Sequence, residues 1–397
     1  MTRRPWGFLL LGFVASRALL VGLAGATINV VASRGDMALY AGWADAVADG
    51  AAPYSEIPIE YPPGVLPFLM LARVLAWAVH YRSAFVGVMV ILDVVGFIGL
   101  LLIARRSGVY TGAWMWVLAI FLLGPIVYLR LDLIPAVATI WAIERAAAGA
   151  SAASGASFAF GAVAKLYPAL LMPVAFLAAK SRARFAIGAV VVAALAIAPF
   201  LFSLADLWDG VFGYHGSRGI QLESTWGAAL MVAARRGYDA SLEFSFGALH
   251  LTSPIGPTLE VLSSVLSVAV VVGGSWLVAR RGARGDIGTM TVGLYGILAL
   301  VMFTGTVLSP QFMVWLIALG AAALCFHAGD ARTPLLLIVP IAALTQLEFP
   351  FNYADLKEGE LGALLLLIAR NLLLLGSGVT ALMALNGTGT SKEPVNS

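Results

Sequence analysis

Asp36 stands where the chain leaves its first long apolar run, in the stretch SRGDMALYAGWADAVADG at 33–50. A carboxylate placed there can accept a proton from an incoming hydroxyl and orient it, which is general-base chemistry. It can equally cap a helix, satisfying free backbone amides, and the helix dipole then keeps it ionised. The two roles are compatible. Met37, Tyr40, Ala44 and Val47 share one face at helical spacing, with Asp45 and Asp49 on the other. The pattern predicts an amphipathic surface helix that Asp36 begins and Gly50 ends. Tyr40 and Trp43, farther along that helix, offer rings on which a sugar can stack.

Other polar stretches carry further candidates. In APYSEIPIEYPPG at 52–64, prolines stiffen a turn, Tyr54 and Tyr61 are stacking groups or membrane anchors, and Glu60 is a substrate contact or a solvated carboxylate. In YLRLDLIPA at 128–136, Arg130 and Asp132 are expected to pair with each other, direct contact with a sugar or acceptor being the alternative. Lys165, in VAKLYPALLMP at 163–173, is costly between two short apolar helices unless it meets an anion, lines a cavity or snorkels outward. In GYHGSRGIQLESTWG at 213–227, His215 and the forked guanidinium of Arg218 can cradle a phosphate. Gln221, Glu223 and Ser224 can hydrogen-bond sugar hydroxyls, as can Gln311 beside Ser309 in TVLSPQFMVW at 306–315. Asp93, inside an apolar run, is open to either a cavity role or a structural one.

No HExxH, CxxC, P-loop or D-x-D pattern occurs, and the four histidines are scattered. We expect no metal and no cofactor. A net charge of +3 gives no reason to expect a nucleic-acid partner. The single cysteine, Cys325, excludes an internal disulfide.

The elements that must position these groups are apolar helices. Of the 397 residues 61% are hydrophobic and 11% charged, against about 25% charged in a soluble domain. The chain therefore reads as an all-α, polytopic membrane protein. Apolar runs at 7–31, 85–104, 112–129, 133–143, 155–164, 166–179, 185–202, 257–279, 287–303, 311–326, 334–347 and 361–385 give about 12 candidate spans. Several fall short of the ~20 residues a crossing helix needs, and short or broken helices in a membrane wall polar cavities. The first run resembles a secretory signal, but the many spans after it read as a retained first helix.

The run at 61–79 decides the topology. With it lying in the interface, the cytoplasmic segments hold 13 basic and 4 acidic residues, and the outer segments 9 basic and 16 acidic. With it crossing, the later basic clusters would face outward, against the positive-inside rule. Both termini are then cytoplasmic. The outer loops at about 32–84 and 203–256 form the working side of a single domain spanning 1–386, and 387–397 reads as a disordered cytoplasmic tail.

In chain order, the Asp after the first helix, PY and EYPPG, KLYP, the YH…RG…Q…ES stretch and LSPQF resemble glycosyltransferase family 87, over residues from about 7 to 330. The last two spans have no counterpart in the resemblance. It implies a GT-C fold, a polyprenyl-phosphate sugar as donor, Asp36 as the base, and phosphate-side roles for His215, Arg218 and Lys165. Mannose is the first sugar it implies and arabinofuranose the second, with a glycolipid or polysaccharide as acceptor among the membrane lipids. In-line attack would invert the anomer, β donor to α product. A lipid or glycolipid transporter is the competing class, and it should hold its key polar groups near mid-membrane. Here they gather in the outer loops.

Overall fold

The computed structural model describes residues 6–31, 35–281, 284–326 and 329–387; the side chains at 6, 25–31, 215, 386 and 387 lie outside the description. The tail expected at 387–397 falls outside it except for Gly387. Helix occupies 78% of the structure. The N-terminal half runs α1 (Trp6–Val31), α2 (Asp36–Ala48), α3 (Leu66–Leu75), α4 (Tyr81–Ser107), α5 (Thr111–Leu123), α6 (Leu133–Ala147), α7 (Ser151–Ala164), α8 (Tyr167–Ala178) and α9 (Arg182–Ile197). Then come α10 (Leu204–Trp208), α11 (Tyr214–Gly216), α12 (Thr225–Ala234), α13 (Gly256–Arg280), α14 (Ile287–Thr304), α15 (Met313–Leu324), α16 (Arg332–Leu336), α17 (Ile338–Gln346), α18 (Tyr353–Lys357) and α19 (Leu361–Gly387).

Among the described residues, seven helical stretches are long and apolar enough to cross a membrane: Gly7–Ala24, Tyr81–Ser107, Arg182–Gly213, Gly256–Arg280, Ile287–Thr304, Gly329–Phe351 and Leu361–Leu385. The protein is membrane-embedded. The other five apolar runs form α5, α6, α7, α8 and α15, helices of only 12 to 15 residues. Their breaks have local causes. α5 ends at Gly124, whose φ of +81° suits glycine and where any side chain would collide with the Gln346 carboxamide. Pro125 follows it. Lys165 is extended, with φ −160° and ψ 138°, and separates α7 from α8. Pro310 precedes α15.

The run at 61–79 is not one long helix. A proline turn at Pro63–Val65 leads into α3, which has 10 residues, too few to cross. Arg73 on α3 pairs with Asp45 on α2 at 2.5 Å. α2 starts at Asp36, as the spacing predicts, but Gly35 is its N-cap and Asp36 its first helical residue, with no side-chain capping bond. The carboxylate is therefore free of a capping duty.

Asp93 is a structural hub, which resolves the open alternative. It is fully buried. It accepts from Arg17 Nε at 2.7 Å, Trp116 Nε1 at 2.7 Å and the Tyr128 hydroxyl at 2.6 Å. Arg17 also donates to the Val117 and Trp116 carbonyls. This network binds α1, α4 and α5 around a paired, saturated charge, the form in which a buried carboxylate is tolerated.

The all-α expectation holds for the bulk of the structure, which carries only a little sheet. The segment between α11 and α13 contains a three-stranded antiparallel sheet, β1 (Ile220–Gln221), β2 (Ser241–Ser245) and β3 (Ala248–Thr252), in the order β1-β3-β2. Ser245 pairs with Ala248, leaving Phe246 and Gly247 as a two-residue turn with φ +49° and +70°. Positive φ at both positions matches the twist of a tight hairpin.

Candidate active site

The breaks between the short helices meet around one cavity of about 900 Å³. Pro125, Ile126 and Leu129 bring the end of α5, Lys165 to Tyr167 the α7–α8 break, and Ser309 to Phe312 the entry to α15. Asp36, Glu60 and Tyr61 come from the first long loop, and Arg218, Gln221, Glu223 and the β2–β3 hairpin from the second. Irregular backbone inside a membrane protein is stable where it lines a cavity or is buried in protein.

Asp36 Oδ2 pairs with Arg130 Nη1 at 2.8 Å, with a quarter of the Asp36 side chain still exposed. Lys165 Nζ pairs with Asp132 Oδ1 at 2.7 Å. The expected Arg130–Asp132 pair is thus replaced by two longer-range pairs. Asp132 lies outside the cavity wall, 1% exposed, where it neutralises Lys165. That lysine also faces the rings of Phe312 at 4.9 Å and of Tyr61 and Trp315 at 5.2 Å each. Ion pairing and three aromatic faces hold the cation in place.

Arg218 is different. Among the described residues it forms no ion pair, and its Nε is buried with no hydrogen-bond partner. Arg130 Nε, Glu223 Oε2 and Trp315 Nε1 are likewise buried without partners. Their residues all line the same cavity. Such groups are costly unless a ligand or water meets them.

Burial pushes the Glu60 carboxyl above the usual carboxylate range; a hydrogen bond from Tyr214 and the charges of Arg218 and Lys165 oppose the shift, and Asp36 adds to it. Burial likewise raises Glu223, against Arg370 and hydrogen bonds from Tyr353 and Gln221. Arg370, fully buried on α19, donates to the Glu223 carbonyl at 2.5 Å and to Asn371 Oδ1 at 3.0 Å, and lies 3.3 Å from Glu348 Oε2. It anchors the loop that carries Gln221 and Glu223.

The cavity also has an apolar mouth. Leu23 on α1, Leu39 on α2, Phe244 on β2 and Phe351 beyond α17 line it while 50%, 42%, 73% and 69% exposed. A mouth framed by exposed apolar side chains suits a ligand with a hydrocarbon tail.

No family model matches the chain, and no curated protein is significantly similar to it.

Of the residues singled out by sequence, Asp36, Glu60, Tyr61, Arg130, Lys165, Arg218, Gln221, Glu223 and Gln311 all reach the cavity. Tyr40, Trp43 and Tyr54 do not line it; they are 0%, 4% and 7% exposed. Tyr40 and Trp43 pack with Tyr61, Tyr40 also with Phe85, and Tyr54 donates to the Tyr61 carbonyl at 2.8 Å. These rings support Tyr61 and cannot stack on a ligand where they stand. The buried face of α2 is Met37, Tyr40, Trp43 and Ala44. Gln221 serves chiefly as a latch, donating to Ser309 Oγ at 2.9 Å and accepting from the Leu308 amide at 3.1 Å. Ser224 caps α12 by accepting from the Gly227 amide at 2.9 Å. The His215 side chain is outside the described residues.

Sequence reasoning missed Tyr167, Tyr214, Phe246, Trp315, Gln346, Tyr353 and Lys357 as cavity residues. Tyr167, Tyr214 and Trp315 lie inside stretches already marked as polar junctions. The polar segment FNYADLKEGE at 351–360, between two apolar runs, was the signal for Tyr353 and Lys357.

Proposed function

We propose that this protein is an integral-membrane glycosyltransferase. It moves a sugar, mannose in the leading reading, from a polyprenyl-phosphate donor to a glycolipid or polysaccharide acceptor. The observation that carries the reading is the composition of one cavity. It joins a carboxylate, a guanidinium with no ion-pair partner among the described residues, and an apolar mouth. A lipid-linked sugar phosphate has the complementary parts: a tail, an anion and a polar ring.

In this reading the acceptor oxygen attacks the anomeric carbon while the bond from that carbon to the phosphate oxygen breaks. The bonding pair leaves with the phosphate, and the acceptor proton passes to Asp36. Arg130 engages one carboxylate oxygen; the second has lone pairs to orient a hydroxyl. Arg218 meets the charge developing on the leaving phosphate, where a preplaced cation lowers the barrier most. Attack opposite the leaving group inverts the anomer.

The active site is assigned to the extracytoplasmic face of a multi-pass protein in the cell membrane. The segments that the basic-residue count assigns to the cytoplasm supply Arg106, Arg280, Arg281 and Asp286 to a second cavity of about 830 Å³, which shares no lining residue with the first. This separation supports a two-sided arrangement. Transfer of arabinofuranose instead of mannose fits the same cavity. A lipid transporter is the reading from another class, because broken helices also build transport sites. Purified protein in vesicles, given radiolabelled polyprenyl-phosphate sugars and a lipid extract, separates them. A labelled product with a new glycosidic bond supports transferase action; movement of unchanged donor across the bilayer supports transport.

A further inference from the structure

Glu60 lines one cavity together with Asp36, Lys165, Tyr214 and Arg218, whose Nε is buried without a partner. Tyr214 of α11 donates a hydrogen bond to its carboxylate, while Arg218 just beyond α11 and Lys165 at the α7–α8 break favour its charge. Asp36 at the start of α2 opposes that charge, and Tyr61 is the adjoining residue. Two of these groups are already committed: Asp36 to Arg130 at 2.8 Å and Lys165 to Asp132 at 2.7 Å. Of the two carboxylates, then, Asp36 has its own guanidinium, whereas Glu60 depends on Arg218 and a tyrosine hydroxyl.

An anion that docks on Arg218 changes Glu60 in two ways. It brings a like charge close, and it engages the cation that had favoured the Glu60 carboxylate. Both drive Glu60 toward its neutral form, starting from a carboxyl that burial already raises. A protonated carboxyl is a hydrogen-bond donor, suited to a phosphate oxygen, whereas a carboxylate only accepts.

We infer that Glu60 takes up a proton when a phosphodiester anion binds at Arg218, and then holds that anion as a neutral hydrogen-bond donor. The inference rests on reading the cavity as the donor site. Its sign follows from linkage. The bound state holds the additional proton, so raising the pH weakens binding. Affinity falls by up to about tenfold per pH unit, between the titration point of free Glu60 and its higher value in the complex.

The probe is farnesyl methyl phosphate, a diester whose single charge is constant near neutral pH. Dimethyl phosphate is the free-anion arm and farnesol the uncharged-tail arm. Calorimetric titration of the full-length protein in buffers of different ionisation enthalpy counts the protons taken up. We expect the wild type to take up protons with the diester, at most one per site and in an amount that varies with pH, and none with farnesol. Glu60→Gln should bind the diester with no uptake and with affinity independent of pH. Uptake reproduced by dimethyl phosphate supports recognition of the phosphate alone; uptake confined to the farnesyl ester supports recognition of the lipid form. Diester binding without proton uptake, or uptake that persists in Glu60→Gln, overturns the inference and leaves the donor-site reading standing. A diester that does not bind at any pH overturns both. Should the variant fail to fold, the wild-type proton count still decides.

Discussion

Replacing Arg218 with alanine removes a cavity guanidinium that forms no ion pair among the described residues. Two other cations of the cavity wall, Arg130 and Lys165, sit 2.8 and 2.7 Å from carboxylates, so much of their field is spent inside the protein. A charge-assisted hydrogen bond contributes about 1.5–3 kcal/mol. Loss of one such contact to the phosphate therefore predicts a kcat/KM for the donor lower by about 10- to 150-fold. In the proposed transfer, charge grows on the phosphate as the bond breaks, so part of the loss should fall on kcat. Arg218→Lys keeps the charge without the fork and should recover only part of the activity. Arg73 supplies the comparison: its pair with Asp45 is solvent-exposed, at 40% and 59%, and such pairs contribute up to about 1 kcal/mol. Arg73→Ala should be nearly silent in the same assay. The assay is steady-state transfer in vesicles, with donor and acceptor varied separately. Arg218→Ala indistinguishable from Arg73→Ala would refute the reasoning.

Two further outcomes follow. Asp93→Ala leaves Arg17, Trp116 and Tyr128 without their buried acceptor, and breaking such a pair costs about 3–5 kcal/mol; thermal unfolding in detergent should show a large loss of stability, and an unchanged midpoint would contradict the hub. In a Cys325→Ala background, cysteine introduced at position 182 should resist an impermeant thiol reagent added outside intact cells, whereas one introduced at Glu56 should react; the reverse pattern would invert the topology.

Much of the site was legible because polar side chains in an apolar chain are conspicuous. Asp36, Glu60, Lys165, Arg218 and Glu223 all interrupt or border apolar runs, and all line the cavity. Partnership was not legible. Arg130 and Asp132 are two apart in sequence, yet their side chains diverge to Asp36 and Lys165. Helical spacing groups Met37, Tyr40 and Ala44 correctly, but a shared face does not reveal whether a ring meets core or ligand, and Tyr40 and Trp43 meet core. The sheet was readable in retrospect from the alternation in SLEFSFGALHLT, with Phe246–Gly247 as its turn. What Arg370 and the segment at 346–357 add to the cavity depends on packing between distant parts of the chain, for which no local pattern exists.

The central claim is that Asp36 takes the acceptor's proton, and Asp36→Asn tests it most directly. Asparagine keeps the size of the side chain and an oxygen able to accept from Arg130. Helix α2 is capped at Gly35 without help from this side chain, so the variant should fold. It should bind donor and lose transfer by about 10²–10⁴-fold, the usual contribution of a general base. A folded Asp36→Asn protein that keeps more than about a tenth of wild-type turnover would remove Asp36 from the chemistry.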